Sequence, residues 1–188
     1  MNMEELFDII CQHFITKRGY FEIFGHQEHL SSMEGWVRGE IVWLMHQSPL
    51  KEYDIFMATG KGKEPGLKGR RPDLKLRLTD DVNYVYVYVE LKTITIAHNV
   101  WDYVLVRQLA SEFKSLLSNE SDWFISVTYS LKELSRWDDI VKKATDSIVH
   151  RNTYYVRNIK NVAFDIGDNQ KCLISLFGRG QKETPDAT

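Results

Sequence analysis

The chain has 188 residues and a mass of 22.0 kDa, enough for one domain with a substantial core and short for two. Its composition, 43% hydrophobic and 27% charged with only 4 Pro and 11 Gly, excludes a disordered or fibrous chain, and five Trp help supply large side chains for burial. The formal net charge of −2 gives no global mark of a nucleic-acid binder, and two distant cysteines, Cys11 and Cys172, exclude a disulfide framework or a zinc knuckle. No stretch reaches the roughly 18 apolar residues of a membrane span. Met1 to Asp8 carry acids in place of a basic, then apolar, leader, so the expectation is a cytoplasmic α/β domain with reduced thiols.

In chain order, Leu6, Ile9, Ile10, His13 and Phe14 recur at helical spacing and predict a helix over Met3–Thr16. Ser31 with Glu34 three residues on reads as a capping box opening a second helix, with Met33, Val37, Ile41, Leu44 and Met45 on one side and an end near Gln47, before Pro49. The period then becomes alternating. Strands are predicted over Tyr53–Thr59, Leu74–Leu78 and Tyr84–Thr93, with a Gly- and Lys-rich loop from Gly60 to Arg71 between the first two. A helix follows over Asn99–Leu117, striped by Trp101, Leu105, Leu109, Phe113 and Leu116. Trp123–Tyr129 reads as a buried strand. Ser130 and Glu133 read as a second capping box, opening a helix with Trp137, Val141, Ala144 and Ile148. Strands at Val162–Ile166 and Lys171–Phe177 form a hairpin turned at Gly167-Asp168-Asn169, and the polar stretch from Gly178 to Thr188 reads as a loose tail, with the domain ending at residue 178.

The third strand carries the chemistry. Val85, Val87, Val89 and Leu91 share one face, and Tyr84, Tyr86, Tyr88, Glu90 and Lys92 the other, so Glu90 and Lys92 point the same way. A two-residue loop at Asp81-Val82, or a four-residue loop at Asp80–Asn83, makes paired residue numbers sum to 163, which sets Asp73 opposite Glu90. Opposed positions bring Cβ atoms to about 4.5–5.5 Å, and two carboxylates so close need a cation between them, either a lysine or a metal. Paired carboxylates with room for water suit Mg²⁺. A third acid, Glu40, lies three residues beyond Val37 and four before Leu44, at the edge of the apolar side of its helix, where it either snorkels or turns inward to the pair.

Pro72-Asp73 followed by Glu90-Leu91-Lys92 at the end of a hydrophobic strand resembles the PD-(D/E)XK nuclease superfamily. The resemblance extends to the element order from about Ser31 to Tyr129: helix, three strands, helix, strand. It implies a restriction-endonuclease-like αβββαβ core with a mixed central sheet flanked by helices, to which a C-terminal helix and β-hairpin are added. It implies that Asp73 and Glu90 ligate Mg²⁺ or Mn²⁺, that Glu40 completes the metal shell, and that Lys92 orients or activates the attacking water. Some branches carry a glutamine on the following helix, where Gln108 stands. The tyrosine that accompanies it in the recombination-nuclease branch is absent, Glu112 holding the position four later. The implied activity is phosphodiester hydrolysis, in DNA because that is what the resembled family mostly cuts. Such hydrolysis needs a hydroxide, neutralised phosphoryl charge and help for the leaving oxygen, all of which a carboxylate-held divalent ion supplies.

Seven basic residues against two acids fall between Gly60 and Arg77, a local charge of +5 that leaves −7 for the rest of the chain. Lys61, Lys63, Lys68, Arg70 and Arg71 lead into the strand bearing Asp73 and are expected to grip the nucleic-acid backbone. A double-strand cut needs two copies or two nicks, so a homodimer is compatible, and no sequence feature marks an interface. His26 and His29 lack further ligands at a recognisable spacing and read as structural or surface residues, Tyr84, Tyr86 and Tyr88 as packing with wet hydroxyls, and the cysteines as small buried hydrophobes. The rival expectation is a non-catalytic nuclease-like scaffold that binds nucleic acid or a protein partner, with Lys92 in a structural ion pair with Glu90 or Asp73.

Overall fold

The computed structural model describes residues 1–26, 33–47, 55–57, 73–80, 83–95, 101–118, 121–148 and 154–181. Helices α1 (Met3–Thr16), α2 (Arg18–His26) and α3 (Met33–Met45) precede strands β1 (Ile55–Met57), β2 (Leu74–Asp80) and β3 (Asn83–Thr95). After them come α4 (Asp102–Leu117), β4 (Trp123–Leu131), α5 (Leu134–Asp146), β5 (Tyr154–Gly167) and β6 (Gln170–Gln181). The strands form one mixed sheet in the order β1-β2-β3-β4-β6-β5, in which β3 and β4 run parallel and every other neighbouring pair antiparallel. A parallel pair needs a long crossover, and α4 provides it.

Each sheet face buries one helical layer. Leu6, Phe7, Ile10, Phe14, Val37 and Ile41 of α1 and α3 close over Leu74, Leu76, Val89, Leu91, Ile125, Ile174 and Leu176. On the opposite face Leu105, Leu109, Phe113, Leu116, Trp137 and Ile140 of α4 and α5 pack on Ile94, Phe124, Leu173 and Phe177. Strand alternation sorts the two sets: Val87, Val89 and Leu91 face the first layer, as their spacing predicts, while Ile94 faces the second. Cys11 and Cys172 are buried in the first cluster, where desolvation pushes the Cys11 thiol up to about 12 and that of Cys172 up as well, which favours the neutral thiol over the thiolate in both.

Several boundaries differ from the sequence reading. α2 was not expected, because Gly19 and its charged neighbours interrupt an apolar pattern of few residues. Phe21 nevertheless anchors it against Phe14, Trp36 and Phe164 at ring distances of 5.3–5.7 Å. α5 begins at Glu133 as N-cap, with no side-chain cap bond, and Ser130 belongs to β4 in place of a capping box. β5 starts at Tyr154 because its outer half is an edge strand, exposed on both faces around Arg157 and Asn158, so no alternation marks it. β6 runs to Gln181, three residues past the expected domain end, held by Tyr154↔Gln181 and Tyr155↔Gly180 pairing. Glycine is required there: a Cβ on Gly180 would lie 2.5 Å from the Tyr155 ring. The hairpin turn is as expected, with Gly167 opposite Gln170 and positive φ at Asp168 (48°) and Asn169 (55°), the signature of a two-residue type I′ turn. Ser31, His29, the outer residues of the strand predicted over Tyr53–Thr59, and Lys61, Lys63, Lys68, Arg70 and Arg71 lie outside the described residues. Among the described residues no helix is long and apolar enough to cross a membrane.

Candidate functional site

Register decides whether the acids meet, since a one-residue slip would turn Asp73 to the other face. The β2–β3 ladder runs from Asp80↔Asn83 to Leu74↔Val89, each pair summing to 163 as expected, and ends one step short of Asp73 and Glu90. Asp73 is tied to this end of β3 by the Leu91 amide, which donates to its Oδ2 at 2.9 Å. Asp73, Lys75 and Arg77 alternate with buried Leu74 and Leu76 and so share the strand face of Tyr86, Tyr88, Glu90 and Lys92. Lys75 lies 4.7 Å from the Tyr86 ring centroid and 5.7 Å from that of Tyr88, a cation–π stack that gives these tyrosines a structural occupation. A β3–β4 pairing of Lys92 with Ser126, and a β4–β6 pairing of Ser126 with Ser175, extend the face as a buried polar row.

The acid that α3 brings to Lys92 and Asp73 is Glu34. Its carboxylate takes Lys92 Nζ at 3.1 Å and lies 3.6 Å from the Arg38 guanidinium, one turn on. Arg38 donates to Asp73 Oδ1. The expectation for Glu40 is corrected: its Oε2 is 2.7 Å from His13 Nε2 and 3.8 Å from Lys17 Nζ, so it joins α3 to α1. Helical geometry explains the exchange, because Glu34 and Glu40 stand about 60° to either side of Val37 at 100° per residue. One flank of the apolar stripe docks toward the strands and the other toward α1. Gln108 is exposed on α4, whereas the α4 charge that acts on Lys92 is that of Glu112. Lys92 pairs with Glu34, where the rival reading expected Glu90 or Asp73.

Burial raises the Asp73 carboxyl above its ordinary range. The Leu91 amide and the charges of Arg38 and Lys92 pull it down, and Glu34 pushes it further up. At 15% side-chain exposure, the carboxylate is therefore incompletely compensated by the cations around it. For Lys92 burial works against the charge, but the Glu34 bond and the fields of Glu34, Glu112 and Asp73 outweigh it, so the ammonium titrates above the ordinary lysine range. Lys92 is a fixed cation at neutral pH.

Among the described residues no three His, Cys, Asp or Glu side chains stand close enough to hold a metal ion as a group. What the structure gathers around Asp73 is Lys92 of β3 and the Glu34 and Arg38 side chains of α3. No family model, no curated protein and no solved structure matches this chain.

Proposed function

We propose that this chain is a metal-dependent nuclease with a restriction-endonuclease-like core, hydrolysing phosphodiester bonds in DNA. The observation that carries the reading is the β2–β3 register, whose continuation one step past Leu74↔Val89 would oppose Asp73 and Glu90, with Lys92 two residues on. The order α3-β1-β2-β3-α4-β4 within a mixed sheet supports it.

A divalent ion fits the donors in kind. Carboxylate oxygens are hard ligands, Mg²⁺ takes one or two of them and keeps waters and substrate phosphate for the rest, and buried Asp73 is short of positive charge despite Arg38. Asp73 and Glu90 would hold Mg²⁺ or Mn²⁺, with Glu34 as the neighbouring acid. When bound, the ion supplies positive charge against the phosphoryl and leaving oxygens. Lys92, protonated throughout the neutral range, attracts and orients a hydroxide as a cation and does not serve as the base. Glu34 fixes the Lys92 ammonium in place, and Arg38 fixes Asp73. The basic stretch delivers Lys75 and Arg77 to the same strand face, beside the acids that would meet phosphate.

A second reading has its own observation: Arg38–Asp73, Arg38–Glu34 and Lys92–Glu34 already form a connected ion network. That closure suits a non-catalytic scaffold whose charges hold α3 to the strands. Calorimetric titration of Mn²⁺ into the wild type and Asp73→Ala, followed by incubation with linear, nicked and single-stranded DNA, separates the two. Nuclease function requires Mn²⁺ binding that Asp73→Ala loses and cleavage that Glu90→Ala and Lys92→Ala lose while still folded. Absence of Mn²⁺ binding at millimolar concentration, with variants that unfold instead, establishes the scaffold.

A further inference from the structure

Away from the acid pair, the layer formed by α4 and α5 is neutral as a whole, but three of its cations and one of its acids line a single groove. The two helices leave between them a groove of about 660 Å³ whose lining includes Tyr103, Arg107, Lys114, Lys143 and Ser147. Arg107, Ser111 and Lys114 recur at spacings of four and three along one face of α4, and Lys143 and Ser147 at a spacing of four along α5. All three cations are exposed, and none of them forms an ion pair with a described residue. The one acid of the lining, Asp102, is held through Oδ1 by Arg136 at 2.9 and 3.1 Å, while Asp139 and Asp146 of α5 lie outside the lining. The groove therefore offers three exposed cations and the Ser111 hydroxyl in a concave surface, the Ser147 hydroxyl being spent on the Ala144 carbonyl at 2.7 Å, and this suits an anion with several oxygens.

At the end of the groove where α4 begins, two large rings stand in solvent: Trp101 is 72% exposed and Tyr103 68%. One exposed ring in the lining of a cationic groove, with a second exposed ring two residues before it in the chain, matches one polymer better than others. Single-stranded nucleic acid lays phosphates along the cations and presents unpaired bases to stack on the rings, whereas a duplex keeps its bases stacked within itself. We propose that the α4–α5 groove binds single-stranded nucleic acid, with the backbone along Arg107, Lys114 and Lys143 and bases stacked on Tyr103 and Trp101. This site stands on the groove alone and holds whether or not the acid pair cuts.

The test is fluorescence anisotropy of fluorescein-labelled (dT)20 and (rU)20 with the full chain in EDTA, which keeps cleavage out of the readout. The variants are the triple substitution Arg107→Ala, Lys114→Ala, Lys143→Ala and the double substitution Trp101→Ala, Tyr103→Ala, all at exposed positions where folding tolerates change. The triple variant is expected to bind at least tenfold more weakly and to lower the slope of log K against log salt by about 2, from ~0.7 per lost phosphate contact on a single strand. The aromatic variant is expected to lose roughly five- to hundredfold in affinity for each stacked base it gives up, with its salt slope unchanged. No binding by the wild type to either oligonucleotide, wild-type affinity in both variants, or equal affinity for a 20-base-pair duplex overturns the proposal. A wild type that binds here but fails to cut with Mn²⁺ overturns the nuclease reading and leaves this site standing.

Discussion

Glu34 and Glu40 sit six residues apart on α3, and exchanging their roles has opposite consequences for stability and for cleavage. Glu40 meets His13 at 2.7 Å, with the side chains only 19% and 10% exposed, and Lys17 at 3.8 Å. A charge-assisted hydrogen bond largely shielded from water contributes about 1.5–3 kcal/mol, and the looser lysine adds under about 1 kcal/mol. Glu40→Ala is therefore expected to cost about 2 kcal/mol, which in a domain of this size lowers Tm by roughly 4–8 °C. Glu34 is 29% exposed, and its partners Lys92 and Arg38, at 3.1 and 3.6 Å, are also solvated. Solvent screening limits Glu34→Ala to under about 1 kcal/mol. If Glu34 holds the Lys92 ammonium over the reacting phosphate, however, its loss lowers cleavage by roughly ten- to hundredfold, the usual effect of removing a supporting group behind a reacting one. Differential scanning fluorimetry and a Mn²⁺-dependent nicking assay on both variants give the crossed result. Glu40→Ala that stops cleavage at unchanged Tm, or Glu34→Ala that leaves the rate untouched, refutes the assignment.

Three further outcomes follow from burial. Because the folded pKa of Asp73 lies above its unfolded value, the folded state binds the extra proton, and the stability this carboxyl contributes is present below the ordinary aspartate range near ~3.9 and lost as pH rises through the folded value. Asp73→Asn is therefore expected to raise Tm at pH 7, with the gain closing as pH falls toward the aspartate range; a lower Tm at pH 7 sinks the argument. Trp137 is fully buried in the α4–α5 cluster with its indole N–H unpaired, so Trp137→Ala is expected to cost about 3–5 kcal/mol in chemical denaturation and Trp137→Phe clearly less, since it removes the unpaired donor along with the lost ring atoms. Ser126 and Ser175 are paired across β4 and β6, fully buried, with hydroxyls lacking a hydrogen-bond partner; the double change to Ala is expected to be neutral or to gain about 1 kcal/mol, and a loss above that size shows that these hydroxyls are satisfied in solution.

What the sequence made legible was whatever a short-range period encodes. The alternation Val87 to Leu91 told which side of β3 is core, and the two- or four-residue loop assumed between β2 and β3 implies the register that the ladder shows from Asp80↔Asn83 to Leu74↔Val89. The apolar stripes of α1, α4 and α5 named most of the residues that close the two clusters. α2 and the outer half of β5 lay beyond that logic. Both are short of apolar residues, and each owes its form to a neighbour: α2 to the Phe14 and Trp36 rings, β5 to its ladder with β6.

The site failed to be fully legible for a different reason, which bears on how such centres are read. Glu34 and Glu40 are equivalent in the helical pattern, each on one flank of the same stripe, so nothing local ranks them. Glu34 moreover had a structural explanation already, as the partner of Ser31 in a capping box, and a residue with one sufficient role invites no second. The ranking is made by docking: α1 brings His13 and Lys17 to one flank, and the strands bring Lys92 and Asp73 to the other. Arg38 could have tipped the balance from sequence. It lies one turn beyond Glu34 on the same flank, pairs with it at 3.6 Å, and donates to Asp73. The half-buried Arg38 thus marks the flank of α3 that meets Asp73, and on that flank Glu34, not Glu40, stands with Asp73 and Lys92.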